Sequence, residues 1–369
     1  MPLPLMRPLI RHLYVHIPFC AKVCPYCAFY VHGGSAGLQK RFVAALRKEL
    51  SVAREKFDLQ LETIYFGGGT PSMLNADLFL MIAESLQDFK PGEFTLEANP
   101  ATVTEAKTAA WKWAGVNRVS LGAQSFDPDY LKLLGRQHTP EDIPETVTLL
   151  RGAGFANINI DLMFSLPMMK DTTWDRTLAA ALACRPQHLS AYALSYEEDT
   201  PFFERLQSGE WKTDEDREIR MFNTTLDVLR EAGLDAYEIS NFAKHGFESV
   251  HNLAYWRGED YLGVGPSACS TIGTQRWKNI EDTEAYICRV DRDECLRTEI
   301  EIVTPEIRQR ERIMFGLRTR EGVDLSLVTE HGNTVCRLIE EGLAQSLGKR
   351  LVLTPRGRLV ADSIAEQFC

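Results

Sequence analysis

The stretch Leu13-Tyr14-Val15-His16-Ile17-Pro18-Phe19-Cys20-Ala21-Lys22-Val23-Cys24-Pro25-Tyr26-Cys27 sets three cysteines within eight residues, directly behind a β-branched and aromatic run. Leu13–Ile17 predicts a strand. Thiolates are the usual ligands of iron–sulfur clusters, and this spacing lets one tight loop aim three sulfurs at a single point. A cubic four-iron cluster has four corners, so three sulfurs leave one iron without a protein ligand. Open coordination positions are where metal chemistry takes place, as catalytic zinc shows. Structural zinc asks for four ligands, usually as two pairs, and the chain has no second Cys-x-x-Cys. A thioredoxin-like reading of Cys24-Pro-Tyr-Cys27 leaves Cys20 idle. Three buried core cysteines are the plainest alternative. The loop reads as a [4Fe-4S] site with Cys20, Cys24 and Cys27 as its ligands.

Outward from this loop, strand-like runs alternate with amphipathic stretches over the first 245 residues. The strands are expected at Leu13–Ile17, Thr63–Phe66, Glu93–Glu97, Arg118–Leu121, Asn157–Leu162, His188–Leu194 and Ala236–Ile239. Helices are expected at Lys40–Ser51, Leu78–Phe89, Thr104–Ala114, Pro144–Ala153, Trp174–Ala183 and Asp214–Ala232. Three of them run into Ala114-Gly115, Ala153-Gly154 and Ala232-Gly233, which is C-cap chemistry. Such a rhythm predicts an α/β fold with a parallel sheet and helical crossovers. Polar or glycine clusters follow nearly every strand: Gly67-Gly-Gly-Thr70, Glu97-Ala-Asn99, Gln124-Ser125 and Ser195-Tyr-Glu197, with Asp161 inside the fifth strand. Functional groups arriving from the C-terminal ends of many strands fit a barrel, whereas a doubly wound sheet would gather them at one switch point. The expectation is a partial or complete parallel (β/α) barrel over residues 1–245.

A connecting segment over 246–299 and a small α+β module over 300–369 follow. In the module, helices at Thr304–Leu317 and Val335–Leu343 precede a hairpin turning at Leu347-Gly348-Lys349, and a helix over Leu359–Phe368 closes it. That order resembles a winged helix. Residues 301–369 hold ten basic and ten acidic side chains, so the module lacks the basic footprint of a DNA-binding unit. The whole chain carries a formal charge of −10, which argues against nucleic acid or an anionic membrane as a general partner. No apolar run reaches transmembrane length. Arg7, Arg11 and His12 interrupt the N-terminus, so no signal peptide is expected. Nine unevenly placed cysteines do not make a disulfide scaffold, and a thiolate-held cluster needs a reducing compartment, so the expected location is cytoplasmic.

Cys-x-x-x-Cys-x-x-Cys after a strand resembles the motif of the radical S-adenosylmethionine (SAM) enzymes. Tyr14-Val-His-Ile-Pro-Phe-Cys20 is similar to one branch, that of the coproporphyrinogen dehydrogenases and the HemW heme chaperones. The resemblance implies an open six-stranded barrel and SAM chelating the open iron. It implies that Gly68, Gly69 and Thr70 grip the amino end of SAM. Glu97, Gln124, Arg136 and Asp161 match the SAM-contacting positions, Tyr26 would lie against the adenine, and Tyr14 opens the same strand. A carboxylate suits ribose hydroxyls, and a guanidinium suits a carboxylate bidentately.

Two departures favour the chaperone side of that branch. The dehydrogenases carry a fourth cysteine where this chain has Phe29, and a long extension before the tyrosine where this chain has thirteen residues. His251-Asn-Leu-Ala-Tyr255-Trp256 is similar to a His-Asn-x-x-Tyr-Trp stretch of the chaperones. Imidazole and phenolate are heme-iron ligands, so His251 is expected at the C-terminal rim of the barrel with Tyr255 and Trp256 packed on the porphyrin, the plainer alternative being a capped or core histidine beside two core aromatics. Relatives often carry a further histidine where this chain has Cys269, which would substitute as a thiolate. The implied function is binding of cluster, SAM and heme, with transfer of heme to an acceptor protein and peripheral contact with membrane hemoproteins. The enzyme alternatives are oxygen-independent decarboxylation of coproporphyrinogen III and another radical SAM reaction on an unknown substrate.

Overall fold

A computed structural model describes residues 7–368. Cys369 and the first six residues, part of the stretch judged free of a signal peptide, lie outside the described residues. Six strands run parallel and pair in chain order: β1 (Leu9–Ile17), β2 (Asp58–Gly68), β3 (Glu93–Ala98), β4 (Arg118–Gln124), β5 (Asn157–Phe164) and β6 (His188–Ala193). Between them cross α1 (Ala36–Lys56), α2 (Ala76–Glu84), α3 (Glu105–Trp113), α4 (Pro128–Leu133), α5 (Asp142–Gly152) and α6 (Asp171–Ala183). The side chains of Ser35, Asn75 and Thr104 cap α1, α2 and α3 by accepting a backbone N–H three residues on. Gly115 and Gly154 turn the chain back toward the sheet at φ of +91° and +85°, a region where a Cβ is strained.

The alternation of side chains along these strands builds the site. Val15, Ile17, Ile64, Phe66, Leu96, Val119, Leu121, Ile158, Ile160 and Leu189 point outward, fully buried under the helices. The intervening residues face inward and are polar: Tyr14, Tyr65, Glu97, Arg118, Ser120, Asn159, Asp161, Ser190 and Tyr192. A barrel whose interior is lined by branched apolar side chains packs solid. Here the inward face hydrogen-bonds to itself and leaves space.

Beyond β6 come α7 (Pro201–Gln207), α8 (Glu215–Glu231), and the short β7 (Asp235–Ala236) and β8 (Asn241–Ala243). The seventh expected strand, Ala236–Ile239, is thereby corrected. The Glu238 side chain accepts the Ser240 N–H at 3.1 Å, the chain turns, and β8 pairs antiparallel to β6. Past α9 (Val250–Trp256), β9 (Tyr261–Val264) pairs parallel to β1 on the other flank. Antiparallel strands β10 (Cys269–Ile272), β11 (Gln275–Asn279) and β12 (Arg297–Ile302) extend that edge, with α10 (Thr283–Asp291) between the last two. The segment 246–299 therefore does more than connect: it supplies β9, β10 and β11 of the sheet and the first half of β12. The described residues form one twelve-stranded sheet running from β12 to β7, whose ends do not pair, so the barrel is partial.

The C-terminal module contains α11 (Pro305–Leu317), β13 (Val323–Asp324), α12 (Gly332–Glu340), β14 (Ala344–Leu347) and β15 (Arg350–Leu353). Its separate core includes Ile313, Leu317, Val328, Leu338, Leu351 and Phe368. The expected last helix is broken into α13 (Pro355–Arg358), α14 (Ala361–Ala365) and a 3₁₀ turn over Glu366–Phe368.

Candidate functional site

The cluster loop is tied at both ends. Cys20 N–H donates to the His32 carbonyl at 2.9 Å and His32 N–H to the Pro18 carbonyl at 2.8 Å, closing the base of the 20–32 excursion. Within it, Cys27 N–H bonds the Cys24 carbonyl at 3.1 Å, and Phe202 at the start of α7 donates its N–H to the Pro25 carbonyl at 3.1 Å. The Phe202 ring lies 6.0 Å from that of Tyr26. All three cysteines are free and half-buried, and burial pushes the Cys20 and Cys27 thiols up. Arg136 Nη1 stands 3.7 Å from Cys24 Sγ and Thr70 Oγ1 3.4 Å from Cys20 Sγ. Among the described residues no group of three His, Cys, Asp or Glu side chains is already gathered around a metal position. The donor set nonetheless fits a thiolate-held cluster: three thiols on one anchored loop, with a guanidinium that favours the thiolate form.

The glycine loop earns its composition by packing against this same loop. Gly69 N–H donates to the Ile17 carbonyl and Thr70 N–H to the Phe19 carbonyl, both at 2.8 Å. A Cβ on Gly69 would stand 2.9 Å from those two oxygens. Gly68 has φ of +105°, and a side chain there would strike the His16 ring. These glycines are thus needed by the chain itself, whatever else approaches them.

A cavity of about 960 Å³ opens above the inward faces of β2–β6. It is lined by Cys20, Cys24, Tyr26, Cys27, Gly68, Gly69, Thr70, Glu97, Gln124, Arg136 and Asp161, so eleven of the thirteen sequence candidates meet in one space. Its volume lies near the top of the ~300–1,000 Å³ range of small-molecule sites. Tyr65 donates to Glu97 Oε1 at 2.7 Å, and burial pushes the Glu97 carboxyl up to about 7. Asp161 accepts from Ser120 Oγ at 3.0 Å and Asn159 Nδ2 at 2.6 Å, and burial raises its carboxyl too. Gln124 accepts from Tyr192 Oη at 2.7 Å and sits at φ of +67° in a β4–β5 register shift, which aims it into the cavity. Arg136 Nη2 donates to the Gly122 carbonyl at 2.7 Å.

The two remaining candidates lie elsewhere. Tyr14 is stacked on Tyr65 at 6.1 Å and shares a hydrogen bond with His16 Nδ1 at 3.2 Å, so it supports the cavity wall. His251 is a correction. It is fully buried at the N-terminal end of the barrel, opposite the expected rim, because the start of α9 is anchored to Glu93 at the foot of β3. Its Nδ1 meets Thr63 Oγ1 at 2.7 Å, its Nε2 meets Tyr255 Oη at 2.9 Å, and its ring stacks on Tyr65 at 5.1 Å. Burial holds the imidazole down to about 3, so it is neutral. Both ring nitrogens are occupied, and neither reaches the large cavity. Tyr255 and Trp256 instead line a second cavity of about 420 Å³ against Tyr261 and Phe315, while Cys269 is exposed and lines neither.

Sequence reasoning missed Tyr65, Arg118, Ser120, Asn159, Ser190 and Tyr192. The signal was present: Arg118/Ser120, Asn157/Asn159/Asp161 and His188/Ser190/Tyr192 are polar at alternate positions of their strands, and in β4 Gly122 separates Ser120 from Gln124.

This fold and this cavity define a radical SAM protein: the family model of the Radical SAM superfamily matches residues 14–181, and that of the HemN C-terminal domain matches 303–360. A solved structure, coproporphyrinogen III oxidase (HemN) from Escherichia coli, superposes with a TM-score of 0.83 over 98% of this chain and 90% of that one. At 23% identity it shows the fold alone. The chain is 32% identical to heme chaperone HemW of Lactococcus lactis over 96% of each sequence, and 32% identical to that of Bacillus subtilis over 97% of this chain and 99% of the other. It belongs to the HemW family within the radical SAM superfamily, a membership that implies a [4Fe-4S] cluster and SAM. No helix among the described residues is long and apolar enough to cross a membrane.

Proposed function

We propose that the chain holds a [4Fe-4S] cluster through Cys20, Cys24 and Cys27, binds SAM in the 960 Å³ cavity, and carries heme to an acceptor protein. The observation that carries the first two parts is the convergence of those cysteines with Gly68, Gly69, Thr70, Glu97, Gln124, Arg136 and Asp161 on one space. When bound, a three-cysteine cluster supplies an iron with an open position and one-electron chemistry. The chain's own residues do the rest. Arg136 places positive charge beside the Cys24 sulfur, Glu97 and Asp161 offer carboxylate acceptors to hydroxyl donors, and Gln124 is fixed by Tyr192. Tyr26, held against Phe202, offers an aromatic face at the loop.

The heme part rests on the HemW relatives and on Phe29 standing where a fourth cysteine would be. Phe29 is 70% exposed and lines the cavity, so the cluster loop offers an apolar side chain there. His251 does not serve as iron ligand in this reading, and contact with membrane hemoproteins finds no support and is not carried forward. We take residues 300–369 as a covering module rather than a nucleic-acid reader. The test is anaerobic reconstitution followed by separate incubation with heme and with coproporphyrinogen III. The reading expects about one heme per chain and no protoporphyrinogen IX. Robust product formation with stoichiometric 5′-deoxyadenosine would replace it with the enzyme reading.

A further inference from the structure

Arg118 opens β4 and is 1% exposed. Among the described residues its Nε has no hydrogen-bond partner, and its guanidinium forms no ion pair with a carboxylate. The neighbouring acids are occupied by neutral donors instead: Tyr65 on Glu97, and Ser120 with Asn159 on Asp161. Two imidazoles near it, His188 and His251, are buried and neutral, and so share none of its charge. The side chain lines the inner end of the large cavity with Ser120 and Ser190. Glu97 and Asp161 feel its charge, yet neither forms an ion pair with it, and a buried guanidinium whose donors lack acceptors is costly. Such a group calls for an occupant that the bare chain lacks.

We infer that Arg118 is the receptor for a carboxylate of the ligand that fills the inner end of this cavity, gripped bidentately by the guanidinium. The planar fork of donors matches the two oxygens of a carboxylate, and the water-poor setting strengthens the pair. The assignment rests on the proposed function, which supplies two carboxylate-bearing ligands: heme through its propionates and SAM through its amino-acid end. Arg118 stands four residues before Gly122, whose carbonyl holds the Arg136 that touches Cys24, about 13 Å along the strand at ~3.3 Å per residue. It is therefore remote from the cluster loop, and a propionate is the favoured source.

Arg118→Met and Arg118→Lys, reconstituted as full chains, test the assignment with two ligand pairs: heme against heme dimethyl ester, and SAM against decarboxylated SAM. Wild type should prefer the carboxylate-bearing member of one pair by about ten- to a hundredfold, the size of a charge-assisted hydrogen bond. Arg118→Met should erase that preference while binding the carboxylate-free member as wild type does, and Arg118→Lys should retain part of it. Loss in the heme pair assigns a propionate, and loss in the SAM pair assigns the amino-acid carboxylate. Ligand-free Arg118→Met should melt at or above the wild-type temperature, because it removes an unpaired charge. A clearly lower melting temperature would mark Arg118 as an internal counter-ion to Glu97 and Asp161 and overturn the inference. So would a preference that survives in Arg118→Met for both pairs, or is absent from wild type in both. If wild type binds no heme at all, the heme reading fails, and the SAM pair alone decides Arg118.

Discussion

Replacing Glu97 by Gln should change the pH dependence of folding in a way that isolates one carboxyl. Burial moves Glu97 from an ordinary 4.5 up to about 7 in the folded chain. Between those values the folded protein binds a proton that the unfolded chain has released. Stability is therefore full below pH 4.5, falls as pH rises through the window, and levels off above 7. At ~1.36 kcal/mol per pKa unit the penalty is about 3 kcal/mol at most, and water reaching the carboxyl through the cavity reduces it to about 2–3 kcal/mol. Glutamine cannot ionise and can still accept the Tyr65 hydroxyl. Urea denaturation of the ligand-free chain at pH 5, 6, 7 and 8 should show the Glu97→Gln variant close to wild type at pH 5 and about 2–3 kcal/mol more stable at pH 8. Glu238, also pushed up to about 7 by burial, gives a background slope of the same sign that both proteins share. A difference between the two proteins that does not change with pH would refute the assignment. SAM affinity of wild type should rise across the same window as the carboxylate forms, and the rise should be smaller in Glu97→Gln.

Cys24→Ala should abolish a four-iron cluster after anaerobic reconstitution, whereas Ala at Cys184, Cys288, Cys295 or Cys336 should leave iron content unchanged; iron retained by Cys24→Ala would break the ligand assignment. Gly69→Ala drives a Cβ to 2.9 Å from the carbonyl oxygens of Ile17, at the end of β1, and of Phe19, beside Cys20. Iron incorporation and SAM binding should therefore fall together, and an unaffected variant would show that the two loops are not locked to one another. His251→Ala leaves Thr63 and Tyr255 hydroxyls without their buried partner, which should cost about 1–3 kcal/mol in denaturation midpoint analysis. Heme affinity and the Soret band should not change, and a shifted band in a fully folded variant would return the iron to His251.

The amino-acid sequence alone determined the local devices of this protein. The cysteine spacing marked the cluster loop, the glycine-ended amphipathic stretches marked the crossovers, and the polar residues after each strand marked the barrel. These are short-range properties: a cap, a turn or a period of two is decided by neighbours in the chain. The sequence also carried the polar inward face of β4, β5 and β6 at alternate positions, which is why the barrel encloses space. Depth along the barrel was decided only by the tertiary structure. His251 and the cavity residues look alike as motif members, but the anchoring of α9 to Glu93, 158 residues earlier than His251, sends the histidine to the opposite end. The flanks of the sheet followed the same logic, since β9 joins β1 and β8 reverses beside β6 through pairings between distant segments. Arg118 illustrates the limit most sharply. A sequence shows that an arginine is present, whereas the absence of a carboxylate partner is a property of everything that folds around it.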